Sequence, residues 1–173
     1  MFNESADRAR LWCYLLSQGL EVKNFVFLSD AEKKLILSWR NNPEISRFMF
    51  RKSPISFEEH NFFISELFQS NDRFYYLLFK KDCPIGVVNF NKVDWKKRIA
   101  KFGLYKNPKL AISVGNVLLF VLEFLADFVL NLSILMAEVF SYNEKAIRLY
   151  RRFNYEFCCQ TGDILIFKKC LKR

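Results

Sequence analysis

The spacing of apolar residues divides the chain into short segments that alternate between the period of a strand and that of a helix. Residues 20–28 (LEVKNFVFL) alternate well enough for a first strand. Two helices follow, at 29–39 and 56–69, and each opens with a serine placed three residues before a glutamate, the capping-box pattern. Asn41-Asn42-Pro43 ends the first of them, because a residue before proline disfavours the helical region.

The remaining segments predict three strands in quick succession, then two helices that alternate with further strands. A nearly unbroken apolar strand in this part predicts a central position in the sheet, covered on both faces. The full order, β-α-α-β-β-β-α-β-α-β-β, contains one strand-helix-strand crossover, so a mixed, largely antiparallel sheet flanked by helices is expected. The segments are 74–79, 85–93 and 99–105 (strands), 116–130 (helix), 133–140 (the apolar strand), 143–152 (helix), and 155–159 with 164–170 (strands).

No internal boundary interrupts this series, so one domain over residues 20–173 is expected. Residues 1–19 read as a helix that ends at Gly19, which predicts an N-terminal extension. Charged residues precede any apolar run there, so we expect no signal peptide.

The longest apolar stretch, residues 117–140, contains Glu123, Asp127 and Asn131. Each of these side chains is costly in hydrocarbon, so a buried helix followed by a buried strand is expected instead of a membrane span. We therefore expect a cytoplasmic protein without a membrane partner.

Composition supports a folded chain: 51% of the 173 residues are hydrophobic and 17% are aromatic, which excludes disorder. One histidine and five cysteines without any CxxC spacing make a metal site unexpected. The cysteines are interpreted as reduced fillers of a cytosolic protein. They are Cys13, Cys83, Cys158, Cys159 and Cys170.

The net charge of +9 has two interpretations, a basic surface that prevents self-association or a binding site for an anion. The chain has no RNA-binding aromatic motif, helix-turn-helix signature or zinc finger, so nucleic acid is not the expected partner. Polyphosphate cofactors remain as candidates.

One candidate anion site lies where the loop at 108–115 enters a helix. The amides of Ser113, Val114, Gly115 and Asn116 would lack partners within the helix, and the helix dipole favours negative charge there. Gly115 would allow a diphosphate to approach the backbone closely. Any helix start with a glycine has the same pattern, so a plain loop remains the alternative.

A second constellation follows the apolar strand at 133–140. Asn143, Ala146 and Tyr150 are spaced to share one helical face, where a thin, amide-bearing ligand arm could lie. On spacing alone, Tyr150 is equally well explained as an ordinary half-buried tyrosine.

This N-x-x-A-x-x-x-Y run, followed by an aromatic-rich strand, resembles the acetyl-CoA-binding half of the GNAT acetyltransferases. The resemblance implies acetyl-CoA as co-substrate, no metal, and a seven-stranded sheet with a splay between its central strands. The family's Q/R-x-x-G-x-G/A motif would fall on residues 110–115, but Leu110 and Ser113 depart from it. The diphosphate would then depend mainly on backbone amides.

Further segments are similar to one branch of that family: 39–43 (WRNNP), 46–49 (SRFM), 57–60 (FEEH), 86–87 (GV) and 102–108 (FGLYKNP). That branch N-acetylates UDP-4-amino-4,6-dideoxy-N-acetyl-β-L-altrosamine in pseudaminic acid biosynthesis for flagellin glycosylation. The match implies a nucleotide-sugar substrate and covers about residues 20–170. WRNxP and the FEEH segment also occur in acetyltransferases of ribosomal-protein N-termini, and FGLYKNP favours the sugar.

The resemblance implies direct attack of the amine on the thioester in a ternary complex. A backbone N–H near Leu104–Tyr105 would stabilise the oxyanion, and Tyr150 would protonate the departing thiolate. Glu138 is the first candidate for the base and His60 the second, although His60 is also explained as a hydrogen-bonded helix histidine.

The remaining site residues are assigned by the same resemblance. Leu104, Asn143, Lys145 and Arg148 are expected to contact the cofactor together with residues 113–116, and Arg151 and Arg152 belong to the same cluster of cations. The substrate cleft is expected to be lined by aromatic and apolar groups, with one arginine at the UDP phosphates. These residues are Met49, Phe50, Phe63, Tyr105 and Arg40.

Two rival functions stay open on the sequence. A protein N-terminal acetyltransferase of the same fold would need acidic or amide groups in an open groove. A non-catalytic, basic nucleic-acid or partner-binding module would show steep salt dependence. The assembly is open as well, and a homodimer is one option.

Overall fold

A computed structural model describes residues 19–171 of the chain. Seven strands form one sheet in the order β1-β2-β3-β4-β5-β7-β6, and β4 with β5 is its one parallel pair. The mixed, largely antiparallel sheet predicted from the sequence is confirmed. The strands are β1 (Leu20–Asn24), β2 (Phe74–Lys80), β3 (Cys83–Asp94), β4 (Ile99–Lys106), β5 (Ile134–Phe140), β6 (Glu156–Thr161) and β7 (Ile164–Cys170).

Five α-helices connect these strands: α1 (Asp30–Arg40), α2 (Pro43–Ser46), α3 (Phe57–Leu67), α4 (Gly115–Phe124) and α5 (Glu144–Arg152). Both predicted capping boxes are present, at Ser29 before α1 and at Ser56 before α3. The predicted helix at 116–130 divides into α4 and a π-helical turn, Leu125–Val129.

Two expectations at the N-terminal end need revision. The strand predicted through residue 28 ends at Asn24, whose side chain accepts a hydrogen bond from the Val26 N–H and starts a 3-10 turn, Phe25–Phe27. The helix α2 was not predicted; Asn42 caps it and Pro43 occupies its first position, where a missing N–H costs nothing. The extension expected over residues 1–19 lies outside the described residues except for Gly19, and Cys13 lies outside them too.

Each face of the sheet carries its own apolar core. On one face, α4 and α5 pack through Leu118, Leu122, Ile147 and their neighbours into a continuous core that spans β1 to β7. On the other face, α1 and α3 form a smaller core over β2 and β3, with Trp39 as its largest fully buried side chain.

The apolar strand β5 is not covered on both faces, contrary to expectation. Its burial alternates: Leu135, Ala137 and Val139 are buried against α4 and α5, whereas the residues between them are only half-buried. The smaller core draws on β2, β3 and Tyr105, so no helix of that core lies over β5. This half-covered surface contains the candidate site.

The interpretation of the cysteines as fillers is wrong for the four that the structure describes, because all four are exposed. Cys83, Cys158, Cys159 and Cys170 carry free thiols and are exposed. Cys158 and Cys159 lie in β6, an edge strand in which every residue is exposed. Within residues 19–171, no helix has the length and apolar character needed to cross a membrane.

Candidate active site

A wedge-shaped opening separates β4 from β5 in the middle of the sheet. The two strands pair in parallel from Ile99↔Ile134 to Phe102↔Ala137 and then lose contact. Each strand stays paired with its other neighbour up to Lys106 and Phe140, so both continue as regular strands along the opening. Backbone groups facing the opening, including those at Leu104, lack a strand partner there and can bind an amide-bearing ligand.

The helices that follow these two strands both begin at the wide end of the wedge. Val114, the residue before α4, makes no side-chain capping bond, so no side chain in residues 19–171 accepts from the amides at the start of α4. Ser113 and Asn116 are exposed beside them. Arg152 of α5 donates to the Asn116 side chain (Nη1 to Oδ1, 3.3 Å), which adds a cation to this amide-rich corner.

Gly115 has a packing reason that the sequence could not show. A Cβ added there would lie 3.3 Å from Leu149 Cδ2, so the glycine allows α4 to start close against α5. The structure therefore gives Gly115 a helix–helix contact, and a larger side chain there would press the start of α4 against Leu149 on α5.

The three residues expected on one face of α5 are arranged differently. Asn143 lies one residue before the helix and caps it, since its Oδ1 accepts a hydrogen bond from the Ala146 N–H (3.3 Å). Only Ala146 and Tyr150 then share the predicted face. The reason is that asparagine competes well for an N-cap position, where its side chain replaces a missing backbone acceptor.

Tyr150 lies at the narrow end of the wedge. Its ring packs edge-on against Phe102, the last β4 residue paired with β5, at a centroid distance of 5.5 Å, and it also contacts Tyr155 and Phe167. The residue is 5% exposed, and this burial raises the pKa of its phenol, so the hydroxyl stays protonated at neutral pH. Its hydroxyl makes no hydrogen bond to any residue between 19 and 171, which leaves it available to a ligand.

A row of polar side chains crosses the opposite face of the sheet at the level of the wedge. Tyr75 donates from its hydroxyl to Asn91 Oδ1 (2.7 Å), and Asn91 Nδ2 donates to Asn89 Oδ1 (2.6 Å). On the next two strands, Lys101 Nζ forms a direct ion pair with Glu138 Oε1. We call this set (Tyr75, Asn89, Asn91, Lys101 and Glu138) the polar row.

Arg40 lies beside one end of the polar row. Its Nη2 donates to the Arg51 carbonyl (2.7 Å), while Nη1 is buried and has no partner in the described part of the chain. Burial lowers the pKa of this guanidinium, and the hydroxyls of Tyr105 and Tyr75 interact with it electrostatically. A buried cationic donor without a partner is costly, so this position favours an anionic ligand.

The sequence-assigned substrate residues fall into two groups. Phe63 packs edge-on against Tyr75 (5.0 Å between ring centroids) and so joins Arg40 and Tyr105. Phe50 instead lies farther out, 69% exposed, against Phe140 at the end of β5. Met49 is half-buried next to Phe50 in the same connection between α2 and α3.

An aromatic bridge, defined by Phe48, Phe50, Phe140 and Tyr142, joins the α2–α3 connection to the turn between β5 and α5. Tyr142 stacks on both Phe140 (5.1 Å) and Phe48 (5.9 Å), and its hydroxyl donates to the Arg47 carbonyl (3.1 Å). This bridge stands beside the half-covered face of β5, and we call the space between them the cleft.

Three predicted residues lie away from this cleft or on open surface. His60 is 6% exposed, has a pKa lowered by burial, and its Nε2 has no hydrogen-bond partner in the described part of the chain. The structure thus places it between α1 and α3, apart from the Glu138–Lys101 pair. Lys145 is exposed, and Arg148 forms an exposed i,i+4 ion pair with Glu144.

Sequence reasoning missed Lys101, Asn89, Asn91, Tyr75 and Tyr142. One signal was available: in the alternating strand 99–105, Lys101 stands between the apolar Ala100 and Phe102 on the face opposite theirs. A lysine on the inner strand of a sheet requires a nearby carboxylate, and Glu138 on the neighbouring predicted strand was the candidate. The contacts of Tyr142 have no comparable signal.

Comparison with known proteins places this geometry in a family. The model of the acetyltransferase (GNAT) domain matches residues 25–156. The chain is 38% identical, over 154 residues that cover 89% of it and 94% of the relative, to acetyltransferase PseH of Campylobacter jejuni serotype O:2.

Solved structures agree with this match. The structure of Campylobacter jejuni N-acetyltransferase PseH in complex with acetyl coenzyme A superposes with a TM-score of 0.76 at 29% identity, covering 88% of this chain and 99% of that one. Spermidine N-acetyltransferase from Vibrio cholerae, with CoA and spermine, gives a TM-score of 0.79 at 18% identity, with 88% and 95% covered, and shows the shared fold. The chain therefore belongs to the GNAT family of acetyltransferases.

Proposed function

We propose that this enzyme transfers the acetyl group of acetyl-CoA to the 4-amino group of a UDP-linked 4-amino-4,6-dideoxy sugar. The similarity to PseH over 89% of the chain supports the assignment, together with the WRNNP and FGLYKNP segments. The reaction would serve pseudaminic acid biosynthesis for flagellin glycosylation. We also propose a cytoplasmic location and assembly as a homodimer.

The observation that carries the nucleotide part of the proposal is Arg40. Its guanidinium has one buried, unpartnered nitrogen and lies beside the rings of Tyr75, Tyr105 and Phe63. A nucleoside diphosphate supplies the two groups that such a site needs, an anion for the guanidinium and a flat base for the rings. A peptide N-terminus brings no diphosphate, so the buried guanidinium nitrogen would stay without an anionic partner.

The acetyl-CoA site would follow the wedge between β4 and β5. The amide-bearing arm would pair with strand edges near Leu104, and the diphosphate would bind the amides of residues 113–116 with Arg152 beside them. Asn143, Lys145 and Arg148 would line the outer part of this site. Because Leu110 and Ser113 replace the family's usual residues, the helix amides would supply most of the hydrogen bonds.

The proposed chemistry uses groups on both sides of the wedge. The amine nitrogen attacks the thioester carbonyl carbon, and a backbone N–H near Leu104–Tyr105 stabilises the oxygen as it gains charge. The carbon–sulfur bond then breaks, and Tyr150 supplies a proton to the sulfur. The proton lost by the amine passes to Glu138, which is nearer to the cleft than His60.

The test is mass-spectrometric detection of acetyl transfer from acetyl-CoA to a panel of amines. The panel contains the UDP-linked 4-amino sugar, the same sugar without UDP, and a peptide with a free N-terminus. We expect rapid acetylation of the UDP-linked sugar alone. Preferential acetylation of the peptide would show that the enzyme is an N-terminal acetyltransferase. Acetylation of the sugar without UDP at the same rate would show that the enzyme does not recognise the nucleotide.

A variant links this result to the structure. Arg40→Met should raise KM for the UDP-linked sugar roughly tenfold or more, because it removes a charge-assisted contact, and should leave KM for acetyl-CoA unchanged. Lys97→Met, which removes an exposed cation on the β3–β4 turn, is the matched control. An unchanged KM in the arginine variant would contradict the assigned diphosphate contact.

A further inference from the structure

Lys101 occupies an unusual position for a lysine, on an inner strand of the sheet at the base of the catalytic wedge. Its neighbours Ala100 and Phe102 face the large apolar core, so Lys101 faces the cleft. The side chain of Lys101 is 32% exposed, and that of its partner Glu138 is 26% exposed. Most charged side chains lie on the surface because water solvates them there. That reason does not apply to a partly buried ion pair in the middle of a sheet.

The pair straddles the point at which β4 and β5 separate. Lys101 lies opposite Met136 in the paired part of the strands, whereas Glu138 is the first β5 residue beyond the last pair, Phe102↔Ala137. The ion pair therefore reaches from the fixed part of the sheet to the first residue of the open part. The ion pair therefore holds the Glu138 carboxylate at a position where β5 is no longer paired with β4.

The rest of the polar row leaves Lys101 with this one acidic partner. Asn91 lies opposite Lys101 on β3, and both ends of its amide are engaged, with Tyr75 and with Asn89. On the other side of β5, the same face carries Ile166, opposite Glu138, and Lys168, opposite Met136. In the described residues Glu138 is thus the carboxylate that Lys101 contacts, and Lys101 contacts only one of its two oxygens, Oε1.

We propose that Lys101 is a positioning residue that holds the Glu138 carboxylate so that its second oxygen faces the acceptor amine. This inference rests on the proposed role of Glu138 as the base. A glutamate side chain without such a contact would sample several rotamers, and few of them would reach the amine. During the reaction the N–H bond of the attacking amine breaks, its proton binds Glu138 Oε2, and Lys101 keeps all of its protons.

A double-mutant cycle tests the proposal, because a residue that acts through another loses its effect when the other is removed. The variants are Lys101→Met, Glu138→Gln, the double variant and Lys101→Arg, with Lys97→Met as the surface control. Each is assayed for kcat and for KM of both substrates, with the amine that the wild-type enzyme acetylates, nucleotide sugar or peptide. Thermal melting and calorimetric acetyl-CoA binding establish that each variant is folded.

We expect Glu138→Gln to lower kcat on the order of 100-fold, as for loss of a general base. Lys101→Met should lower kcat about tenfold or more with KM for acetyl-CoA unchanged, and Lys101→Arg should recover most of it. The double variant should be no slower than Glu138→Gln alone. The proposal would be overturned if the fold loss in kcat of the double variant equalled the product of the two single losses, or if Lys101→Met kept full activity.

Failure of the proposed function gives a different result from failure of this inference. If the enzyme acetylates only peptides, the nucleotide-sugar substrate is wrong, yet the cycle can still be completed on the peptide. If Glu138→Gln retains full kcat, Glu138 is not the base and Lys101 has nothing to position. Equal activity of Lys101→Arg and Lys101→Met would exclude the ion pair as the cause.

Discussion

The two faces of the sheet differ in what their side chains do. The face under α4 and α5 is a continuous apolar core in which Leu118, Leu122 and Leu135 have no exposed surface. The face toward α1 and α3 has a smaller apolar core over β2 and β3, the aromatic bridge at the end of β5, and the polar row between them.

This difference shows how one sheet can be both stable and reactive. Burial of apolar area on the α4 side supplies most of the stabilisation, and it fixes the strands on which the polar row stands. The other face can then keep a cleft, an unpartnered arginine nitrogen and an ion pair, each of which costs free energy. Variants on the two faces should therefore fail in different ways.

The largest expected effect is loss of stability from the α4 face. Leu118→Ala should lower the free energy of unfolding by about 2–5 kcal/mol, because the leucine is fully buried and its removal leaves a cavity. Ile166→Ala, on the half-covered face of β7, should cost clearly less. Urea unfolding followed by circular dichroism measures both, and equal losses would erase the difference between the faces.

Tyr150→Phe should separate activity from stability at the narrow end of the wedge. We expect turnover to fall about 100-fold, because the proton donor for the thiolate is lost, while the ring contacts with Phe102 and Phe167 remain. Acetyl-CoA affinity and the melting temperature should change little. Tyr76→Phe, another buried tyrosine of the same core, is the control. Unchanged turnover in Tyr150→Phe would remove it from the mechanism.

His60, which lies between α1 and α3, should make the stability of the protein depend on pH. Burial lowers the pKa of this histidine in the folded state, so the unfolded chain binds more protons once pH falls below about 6.5. The protein should then lose stability between pH 7.5 and 5.5, and His60→Gln should lose less over the same range. Parallel melting-temperature curves for the two proteins would show that His60 does not contribute.

The smallest effects are expected among the cations of α5, and they differ by position. Arg148→Ala should change stability by at most about 0.5 kcal/mol, because its ion pair with Glu144 is exposed, and should weaken acetyl-CoA binding only slightly. Arg152→Ala, next to Asn116 at the start of α4, should weaken binding more. Calorimetry at two salt concentrations distinguishes them, and equal effects would contradict the proposed diphosphate site.

The sequence predicted much of the fold from local signals. Both capping boxes, the four central strands and the single parallel crossover follow from residues that are neighbours along the chain. The prediction failed where burial depended on distant packing: β5 was expected to be covered on both faces, and one face is only half-covered. It also failed at Asn143, which serves as a helix cap and not as a face residue.

For the candidate site, the sequence named residues but not their arrangement. Arg40, Phe63 and Tyr105 were named, and the structure groups them around Tyr75, which was not. Glu138 was named as a base without Lys101, which lies 37 residues away along the chain. His60 was named as an alternative base, and helix packing places it elsewhere.

By itself, the sequence determined most of the helices and strands, because capping bonds and side-chain periods act over a few residues. It also determined the family, since the family model matches the sequence over residues 25–156. Only the tertiary structure decided that β4 and β5 separate after Phe102, and that Tyr142 reaches Arg47 across 95 residues. Such contacts depend on how whole elements pack, and no short stretch of sequence encodes the distance between two elements.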